Sequence, residues 1–201
     1  DTTPRCPTAQ ELTYTLAWPL APATAVHEPI GFAAARGDET GPEADRLRRS
    51  VADVRLEVFV VEQAVPLAQE IDARDDEPTT IHVLARGADG APLAAGRILA
   101  GPEHPGLVHL GRLAVRRVCR GTGLGVRMVA AIEDAARRRA AVAQEDGGAA
   151  VTVMLSAQEQ AMGFYARCGY AVVGGERYLD AGIWHRDMAR TVLAPGRRPV
   201  R

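Results

Sequence analysis

Residues 107–139 read LVHLGRLAVRRVCRGTGLGVRMVAAIEDAARRR, and this stretch decides the fold. Its apolar residues alternate with a period of two up to Val115 and recur about every 3.6 residues from Leu124, which predicts a strand followed by a helix. The glycines between them let the backbone approach a ligand, and the first N–H groups of the helix have no partner within it. Because the helix dipole adds positive charge there, the turn is predicted to bind a phosphate or diphosphate.

The turn matches neither of two common phosphate-binding motifs. A P-loop needs a lysine that reaches the terminal phosphates, and all 24 lysine-plus-arginine residues of this chain are arginine. A dinucleotide-binding turn needs G-x-G-x-x-G, but here the third glycine comes one residue early and Val126 takes its place. The pattern that fits is R-x-x-G-x-G from Arg120 to Gly125, directly after the predicted strand.

This pattern resembles the coenzyme A signature of the GCN5-related N-acetyltransferase (GNAT) family. The resemblance implies that acetyl-CoA is a co-substrate, with its diphosphate on the loop amides and its pantetheine arm along the preceding strand. In this part of the chain it assigns coenzyme binding to Leu113, Ala114, Val115, Arg120, Gly121, Thr122, Gly123, Leu124 and Gly125.

Two further blocks resemble the ElaA-like branch of the same family. R-x-x-V-F-V-V-E-Q spans residues 55–63 and is followed by an acidic stretch at 70–77 and by His82, while residues 176–188 fit E-x-Y-x-x-x-G-I-x-H-x-x-M. The resemblance places Glu62 and the acids near the incoming amine, and their carboxylates would favour a cationic acceptor. The other interpretation, a solvated loop after a helix-terminal glutamate, stays open.

A fourth block, F-Y-x-x-x-G-[FY] at 164–170, is the family pattern in which the tyrosine faces the sulfur of the coenzyme. The resemblance therefore makes Tyr165 the general acid and adds Gln158 and Phe164 to the coenzyme-binding residues. The implied acceptor is a primary amine, either of a small molecule or of a peptide or protein. Its direct attack on the thioester needs orientation, a hydrogen bond to the carbonyl oxygen and a proton for the sulfur. The main-chain N–H of Val115 is the predicted donor to that oxygen.

The base that deprotonates the amine is less determined by the sequence. Carboxylates and histidines can take this proton, and the candidates are Glu62, Asp72, His82 and His185. We take Glu62 and His82, with Tyr165, as the predicted catalytic residues. A histidine in an alternating strand also commonly satisfies a hydrogen bond in the core, so a structural role for His82 stays open.

The sequence predicts an α/β fold with a mixed sheet. It is mostly antiparallel, has one parallel pair and is flanked by helices, as the family resemblance also implies. The predicted strands are Ile30–Arg36, Thr80–Arg86, Pro92–Ala100, 107–115 and Ala150–Leu155. An amphipathic helix begins near Glu43, and its arginines, Arg55 included, are predicted to form a solvated face. The residues Ser156–Glu159 read as a capping box for a short helix that Gly169 ends.

The predicted domain occupies residues 30–192, between an extension at 1–29 and a tail at 193–201. In the extension, which is rich in proline, only Tyr14–Trp18 resembles a strand. A chain of 201 residues that is 47% hydrophobic suits one globular domain.

Charge and cysteine content limit the partners. A net charge of −1 argues against nucleic-acid binding, and no apolar run approaches the length of a membrane span. Three cysteines without a pattern predict neither a disulfide framework nor a metal site and favour the cytoplasm. The oligomeric state stays open, a homodimer included.

Two other functions remain as alternatives. A non-catalytic module that senses acyl-CoA would share the glycine turn without needing Tyr165. A nucleotide hydrolase with an unusual phosphate loop is disfavoured by the missing lysine.

Overall fold

The computed structural model describes residues 29–145 and 147–194. Its helices are α1 (Pro42–Arg55), the π-helix Leu56–Glu62 that continues it, α2 (Leu67–Glu70), α3 (Leu124–Ala140) and α4 (Met162–Arg167), and 3₁₀ turns span Ala73–Asp76, Arg117–Cys119 and Glu159–Ala161. Its strands are β1 (Gly31–Arg36), β2 (Thr80–Arg86), β3 (Pro92–Ala100), β4 (Leu107–Val115), β5 (Val142–Ala143), β6 (Ala149–Gln158), β7 (Ala171–Val172), β8 (Tyr178–Asp180) and β9 (Ile183–Ala194). The segment Tyr14–Trp18 lies outside the described residues, and the division of the chain at residues 30 and 192 stays a prediction.

These strands form a mixed sheet in the order β1-β2-β3-β4-β6-β9-β7, with β5 on β6 and β8 on β9. Strands β4 and β6 pair in parallel, and the other strand pairs of the described residues are antiparallel. Helix α3 connects the two parallel strands, since neighbouring parallel strands need a crossover connection. The predicted sheet is confirmed, and no helix of the described residues is both long enough and apolar enough to cross a membrane.

The two faces of the sheet are covered by different helices. On one face α3 buries a stripe of residues at helical spacing against β2, β3, β4 and β6: Leu124, Met128, Ile132 and Ala136. On the other face α1 and the π-helix bury Leu47, Val51, Val54 and Val58. Both stripes were predicted from the 3.6-residue period, and both are confirmed.

The capping box predicted at Ser156–Glu159 is wrong. Strand β6 continues to Gln158 because its ladder with β9 extends to the pair Gln158 and His185. The Ser156 hydroxyl consequently bonds to the Tyr178 hydroxyl at 2.5 Å instead of capping a helix. Helix α4 begins only at Met162, after a 3₁₀ turn. Its predicted end is confirmed, since Gly169 follows it with a φ of 90°.

The arginines of α1 are not all solvated. Arg46 and Arg49 are exposed as predicted, but Arg55 retains 5% exposure. Its guanidinium pairs with Glu70 at 2.5 Å and with Asp75 at 3.0 Å. The prediction was wrong for Arg55 because α2 and the following 3₁₀ turn fold back over the end of α1 and cover it with carboxylates.

Candidate active site

A cleft opens where the two parallel strands stop pairing. Strands β4 and β6 are paired from Leu107 to Leu110 of β4, although β4 continues to Val115 and β6 to Gln158. Just beyond the last pair, β4 makes a bulge against β3, and Arg112 within it has a φ of 54°. A bulge bends its strand locally and is common beside active sites. The unpaired parts of both strands line a cleft of about 680 Å³.

Most of the predicted coenzyme-binding residues line this cleft, namely Leu113, Val115, Arg120, Gly121, Gly123, Gly125, Gln158, Phe164 and Tyr165. The side chains of Ala114 and Leu124 lie in the core, each 1% exposed. Their side chains are therefore not available to a ligand. The Thr122 hydroxyl is engaged locally, since it donates to the Cys119 carbonyl at 2.7 Å.

The glycine turn at the end of the cleft has the conformation that an anion site requires. Gly121 and Gly123 have φ values of 78° and 84°, and a Cβ added at either would meet no atom within 4 Å. Gly123 is the N-cap residue of α3 and makes no side-chain cap. The first intrahelical bond there runs from the Arg127 N–H to the Gly123 carbonyl at 3.2 Å. The Leu124 N–H lies 3.4 Å from the Thr122 hydroxyl oxygen. The N–H groups of Gly125 and Val126 precede the first intrahelical bond and lie at the N-terminus, where the helix dipole is positive.

Arg120 of this turn is shared between two partners. Its Nη2 lies 2.7 Å from a carboxylate oxygen of Glu62, and its Nε donates to the Val115 carbonyl at 2.9 Å. Glu62 does not line the cleft. The resemblance placed Glu62 beside the acceptor amine, whereas in the structure its carboxylate pairs with Arg120 of the glycine turn.

Tyr165 of α4 faces the same cleft, where its ring packs edge-on against Phe164 and Tyr170 with centroid distances of 5.1 and 5.9 Å. Phe164 in turn contacts the glycine turn, since a Cβ on Gly125 would come within 3.2 Å of its ring. This packing fixes α4 against the N-terminus of α3. Burial raises the pKa of the Tyr165 hydroxyl to about 12, and the nearby Cys168 thiol adds to the shift. The hydroxyl therefore stays protonated throughout the neutral range.

The family model of the acetyltransferase (GNAT) domain matches residues 47–192, which contain the cleft, the glycine turn and Tyr165. The chain belongs to the GNAT family. It is 39% identical over 138 residues to the uncharacterized N-acetyltransferase YjcF of Bacillus subtilis, covering 68% of this chain and 87% of that protein.

Two solved structures are also similar to this GNAT protein. An acyl-CoA N-acyltransferase from Pseudomonas aeruginosa has 31% identity and a TM-score of 0.64 over 81% of this chain and 99% of its own. ElaA of Escherichia coli has 27% identity and a TM-score of 0.65 over the same shares. The likeness to ElaA agrees with the resemblance found in the sequence blocks at residues 55–63 and 176–188.

The acids at 70–77 of this GNAT protein are not presented to the cleft. Glu70 and Asp75 pair with Arg55, and Arg97 lies 2.9 Å from Asp72 and 2.8 Å from Asp75. None of the residues 70–77 lines the cleft. Three of the carboxylates predicted to attract a cationic acceptor, those of Glu70, Asp72 and Asp75, are paired with Arg55 and Arg97, two arginines whose burial the sequence pattern did not reveal.

His82 is also away from the cleft. It is 2% exposed on β2, and its Nε2 lies 2.8 Å from the Asp75 carbonyl oxygen, so that nitrogen carries the hydrogen. Its Nδ1 is buried without a partner in the part of the chain that the structure describes. His82, which was predicted to be catalytic, does not line the cleft, and the alternative interpretation as a structural histidine fits its position.

His82 should make the stability of the GNAT fold dependent on pH. Burial lowers its pKa below the ordinary value of about 6.5, so the unfolded chain takes up a proton at a pH where the folded chain does not. The free energy of unfolding should fall as the pH decreases from about 7, by up to about 1.4 kcal/mol per pH unit between the two pKa values. Urea denaturation of His82→Gln should show a shallower fall, whereas the exposed-histidine control His109→Gln should keep the native slope. Equal slopes in all three proteins would contradict this role.

His185 was one of four candidates for the base that deprotonates the amine, and it lines the cleft. Its Nδ1 lies 2.8 Å from the Ile183 carbonyl oxygen, which can only accept a hydrogen. In the neutral ring Nε2 is therefore the nitrogen with a free lone pair. The ring stacks on Tyr178 at 6.1 Å.

A hydrogen-bonded chain beside His185 was missed by the sequence analysis. Ser156 bonds to the Tyr178 hydroxyl, which donates to Asp187 at 2.6 Å. Burial raises the pKa of Tyr178, and the bond to Asp187 acts in the same direction. These side chains share one face of β6, β8 and β9, because directly opposed residues in a ladder point to the same side. The cluster was missed because the strand was predicted to end at Leu155, whereas β6 continues through Ser156 to Gln158.

Among the described residues, no group of three or more histidine, cysteine or acidic side chains could hold a metal ion.

Proposed function

We propose that the protein transfers the acetyl group of acetyl-CoA directly to a primary amine. The observation that carries this proposal is the continuity of three parts in one cleft. The unpaired edge of β4 leads into the glycine turn at the N-terminus of α3, and Tyr165 faces the space beside that edge. A thioester bound along the strand would then lie between an anion site and a hydroxyl group.

The free edge of β4 and the glycine turn form the half of the cleft that we call the donor half, and it suits an acyl-CoA. The diphosphate would accept hydrogen bonds from the amides between Arg120 and Gly125, and the pantetheine arm would bond to the free edge of β4. The Arg116 N–H bonds to Leu93 of β3 at 3.0 Å. Since successive residues of a strand direct their N–H groups to opposite sides, the Val115 N–H points toward the cleft. That amide is the proposed donor to the thioester carbonyl oxygen.

Replacing Glu62 would leave the guanidinium of Arg120 free to bind the diphosphate. We expect Glu62→Gln to tighten the binding of coenzyme A by about two- to fivefold, which corresponds to the free energy of a partly exposed ion pair. Isothermal titration calorimetry measures the effect. The control Asp45→Asn, which breaks an exposed pair with Arg48 on α1, should leave the affinity unchanged. Weaker coenzyme binding by Glu62→Gln would contradict the sharing of Arg120.

Tyr165 is proposed to stabilise the departing sulfur. Full proton transfer from a phenol of pKa about 12 to a thiolate of ordinary pKa about 8.5 is unfavourable. We therefore assign the hydroxyl the role of hydrogen-bond donor to the developing thiolate, while the ammonium of the tetrahedral intermediate supplies the proton that the thiol finally carries. Electrostatic stabilisation of this kind requires the hydroxyl to stay protonated, as its raised pKa ensures.

The incoming ammonium must lose a proton before attack, and we propose Nε2 of His185 as the acceptor of that proton. His185 lines the cleft and has its tautomer fixed by the Ile183 carbonyl. Glu62 is engaged by Arg120, and His82 is buried away from the cleft. His185 is thus the better placed of the sequence candidates.

The protein is also proposed to work in the cytoplasm without a nucleic-acid partner. The two cysteines of the described residues, Cys119 and Cys168, are both buried as free thiols. This state agrees with a reducing compartment.

The proposed activity is tested by release of free thiol from acetyl-CoA. The panel of acceptors comprises amino acids, peptides, polyamines and aminoglycosides at fixed acetyl-CoA. Thiol release that requires one class of amine, with the acetylated product identified by mass spectrometry, is the expected result. Binding of coenzyme A without turnover of any amine would favour the non-catalytic sensor instead.

A further inference from the structure

We propose that the acceptor amine carries a carboxylate group and that Arg112 binds it. This inference rests on the proposed acetyltransferase function and names the substrate class of the same site. It replaces a cationic acceptor by an amino carboxylate, a molecule that has both a reacting amine and an anion.

The first argument is the charge of the cleft. The charged side chains that line it are Arg112, Arg120, Arg167 and Asp180. Glu70 contacts Arg112 and Glu62 contacts Arg120, but neither of these acids lines the cleft. The charged groups that face a bound acceptor are therefore mainly guanidinium N–H donors, which suit an anionic group better than a cationic polyamine.

The second argument is the position of Arg112 within the cleft. Arg120 belongs to the glycine turn, where the diphosphate would lie. Arg112 belongs to the bulge, and its side chain contacts Gln69 and Glu70 of α2. Because Glu70 pairs with Arg55 of α1, this is the α1 face of the sheet, opposite to α3. Arg112 is therefore separate from the donor's phosphate site.

The acceptor side of the cleft lies on that same α1 face. In β6, Leu155 and Ala157 belong to the core under α3, so the alternate residues Ser156 and Gln158 point to the α1 face. His185, the proposed base, is paired with Gln158 and shares its face. Arg112 and the proposed base thus line the cleft from the same side of the sheet.

Arg112 is held in place by two contacts but keeps further N–H groups with which it could bind a ligand. Its Nε lies 3.0 Å from a Glu70 oxygen, and its Nη2 donates to the Gln69 carbonyl at 3.0 Å. Its side chain is 30% exposed. These two contacts hold the guanidinium in place, and its remaining N–H groups, which have no partner among the described residues, can form the fork that binds a carboxylate through two parallel hydrogen bonds.

The test compares acceptors in matched pairs: an amino acid with its amide, and an ω-amino acid with its amide. Wild type should prefer the carboxylate member in kcat/KM. In Arg112→Gln the ratio of carboxylate to amide should fall by about 10- to 100-fold, as expected for a charge-assisted bidentate pair. The two members of a pair differ in amine pKa, and this difference affects wild type and variant equally. It therefore cancels when the carboxylate-to-amide ratio of kcat/KM in wild type is divided by the same ratio in the variant.

Three controls separate recognition from a structural role. Arg112→Lys, which keeps the charge beside Glu70, should restore part of the preference through a lower KM. Arg46→Gln, an exposed arginine of α1, should leave the ratio unchanged. The affinity for coenzyme A, measured by calorimetry, should be the same in all of these proteins.

The inference is overturned if wild type acetylates the amides as well as the carboxylates, or prefers the amides, and the proposed function would survive that result. It is also overturned if the loss in Arg112→Gln is equal for both members of each pair. If Arg112→Gln does not fold, the preference of wild type and the KM values of Arg112→Lys decide. If coenzyme A binds but no member of any pair is acetylated while another amine is, the substrate class is wrong.

Discussion

Replacing Tyr165 with phenylalanine is expected to lower kcat by about 100- to 10,000-fold, the range for losing a positioned acid or hydrogen-bond donor. The ring packs edge-on between Phe164 and Tyr170, so the variant loses the hydroxyl but keeps its packing. The affinity for coenzyme A should therefore change by less than about twofold. Steady-state kinetics and calorimetry on the same preparation separate the two effects.

The matched control for this variant is Tyr170→Phe, which removes a hydroxyl from a ring that touches Tyr165 but does not line the cleft. Its kcat should stay close to that of wild type. Because the pKa of Tyr165 is raised to about 12, the pH profile of wild type should show no descending limb from this group below about pH 11. Full activity of Tyr165→Phe would remove Tyr165 from the mechanism.

Replacing Gly123 with aspartate is expected to weaken coenzyme A binding by about 100-fold, the value of losing one or two charge-assisted hydrogen bonds. The new carboxylate would occupy the N-terminus of α3 and repel the diphosphate. Aspartate tolerates a left-handed φ better than most residues and is favoured as a helix N-cap. The melting temperature without ligand should therefore stay within a few degrees of wild type while the calorimetric affinity falls.

Gly174→Asp is the matched control for this variant, since Gly174 also has a positive φ, 77°, and open space around a Cβ, but lies outside the cleft. It introduces the same charge and a similar backbone strain. Coenzyme A should bind to it as to wild type. Equal loss of affinity in both variants would show that the N-terminus of α3 is not a specific anion site.

The parts of the fold set by local periodicity were predictable from the sequence. The stripe from Leu124 to Ala136 is buried on one face of α3, and Val108 and Leu110 of β4 are buried in the same cluster. An element with one apolar face has few ways to pack. The hairpin of β2 and β3 was likewise set by turn residues between two apolar runs.

The predictions that failed concern residues whose structure is set by a partner far away in the sequence rather than by the local sequence pattern. Ser156 has the sequence of a helix cap, but the ladder with β9 holds it in a strand. Arg55 lies on the polar side of a helix, yet α2 and the 3₁₀ turn that follows cover it with Glu70 and Asp75. The π-helix at Leu56–Glu62 and the bulge at Arg112 were not predicted, because both are backbone irregularities that no residue spacing encodes.

The proposed site divides in the same way. Its proposed donor half consists of one continuous stretch and one short motif, so residues from Leu113 to Gly125 and Tyr165 could be proposed from the sequence. The acceptor half is assembled from β4, β6 and β9, which are far apart in sequence. Its residues, such as Arg112 and His185, could be ranked only after the topology was known.

A crystal structure of the protein with coenzyme A would show where the coenzyme binds. We expect diphosphate oxygens within hydrogen-bond distance of the main-chain nitrogens between Arg120 and Gly125, the pantetheine arm along β4 and the sulfur facing the Tyr165 hydroxyl. A coenzyme bound elsewhere on the protein, or bound in the cleft with its diphosphate away from these nitrogens, would contradict this expectation.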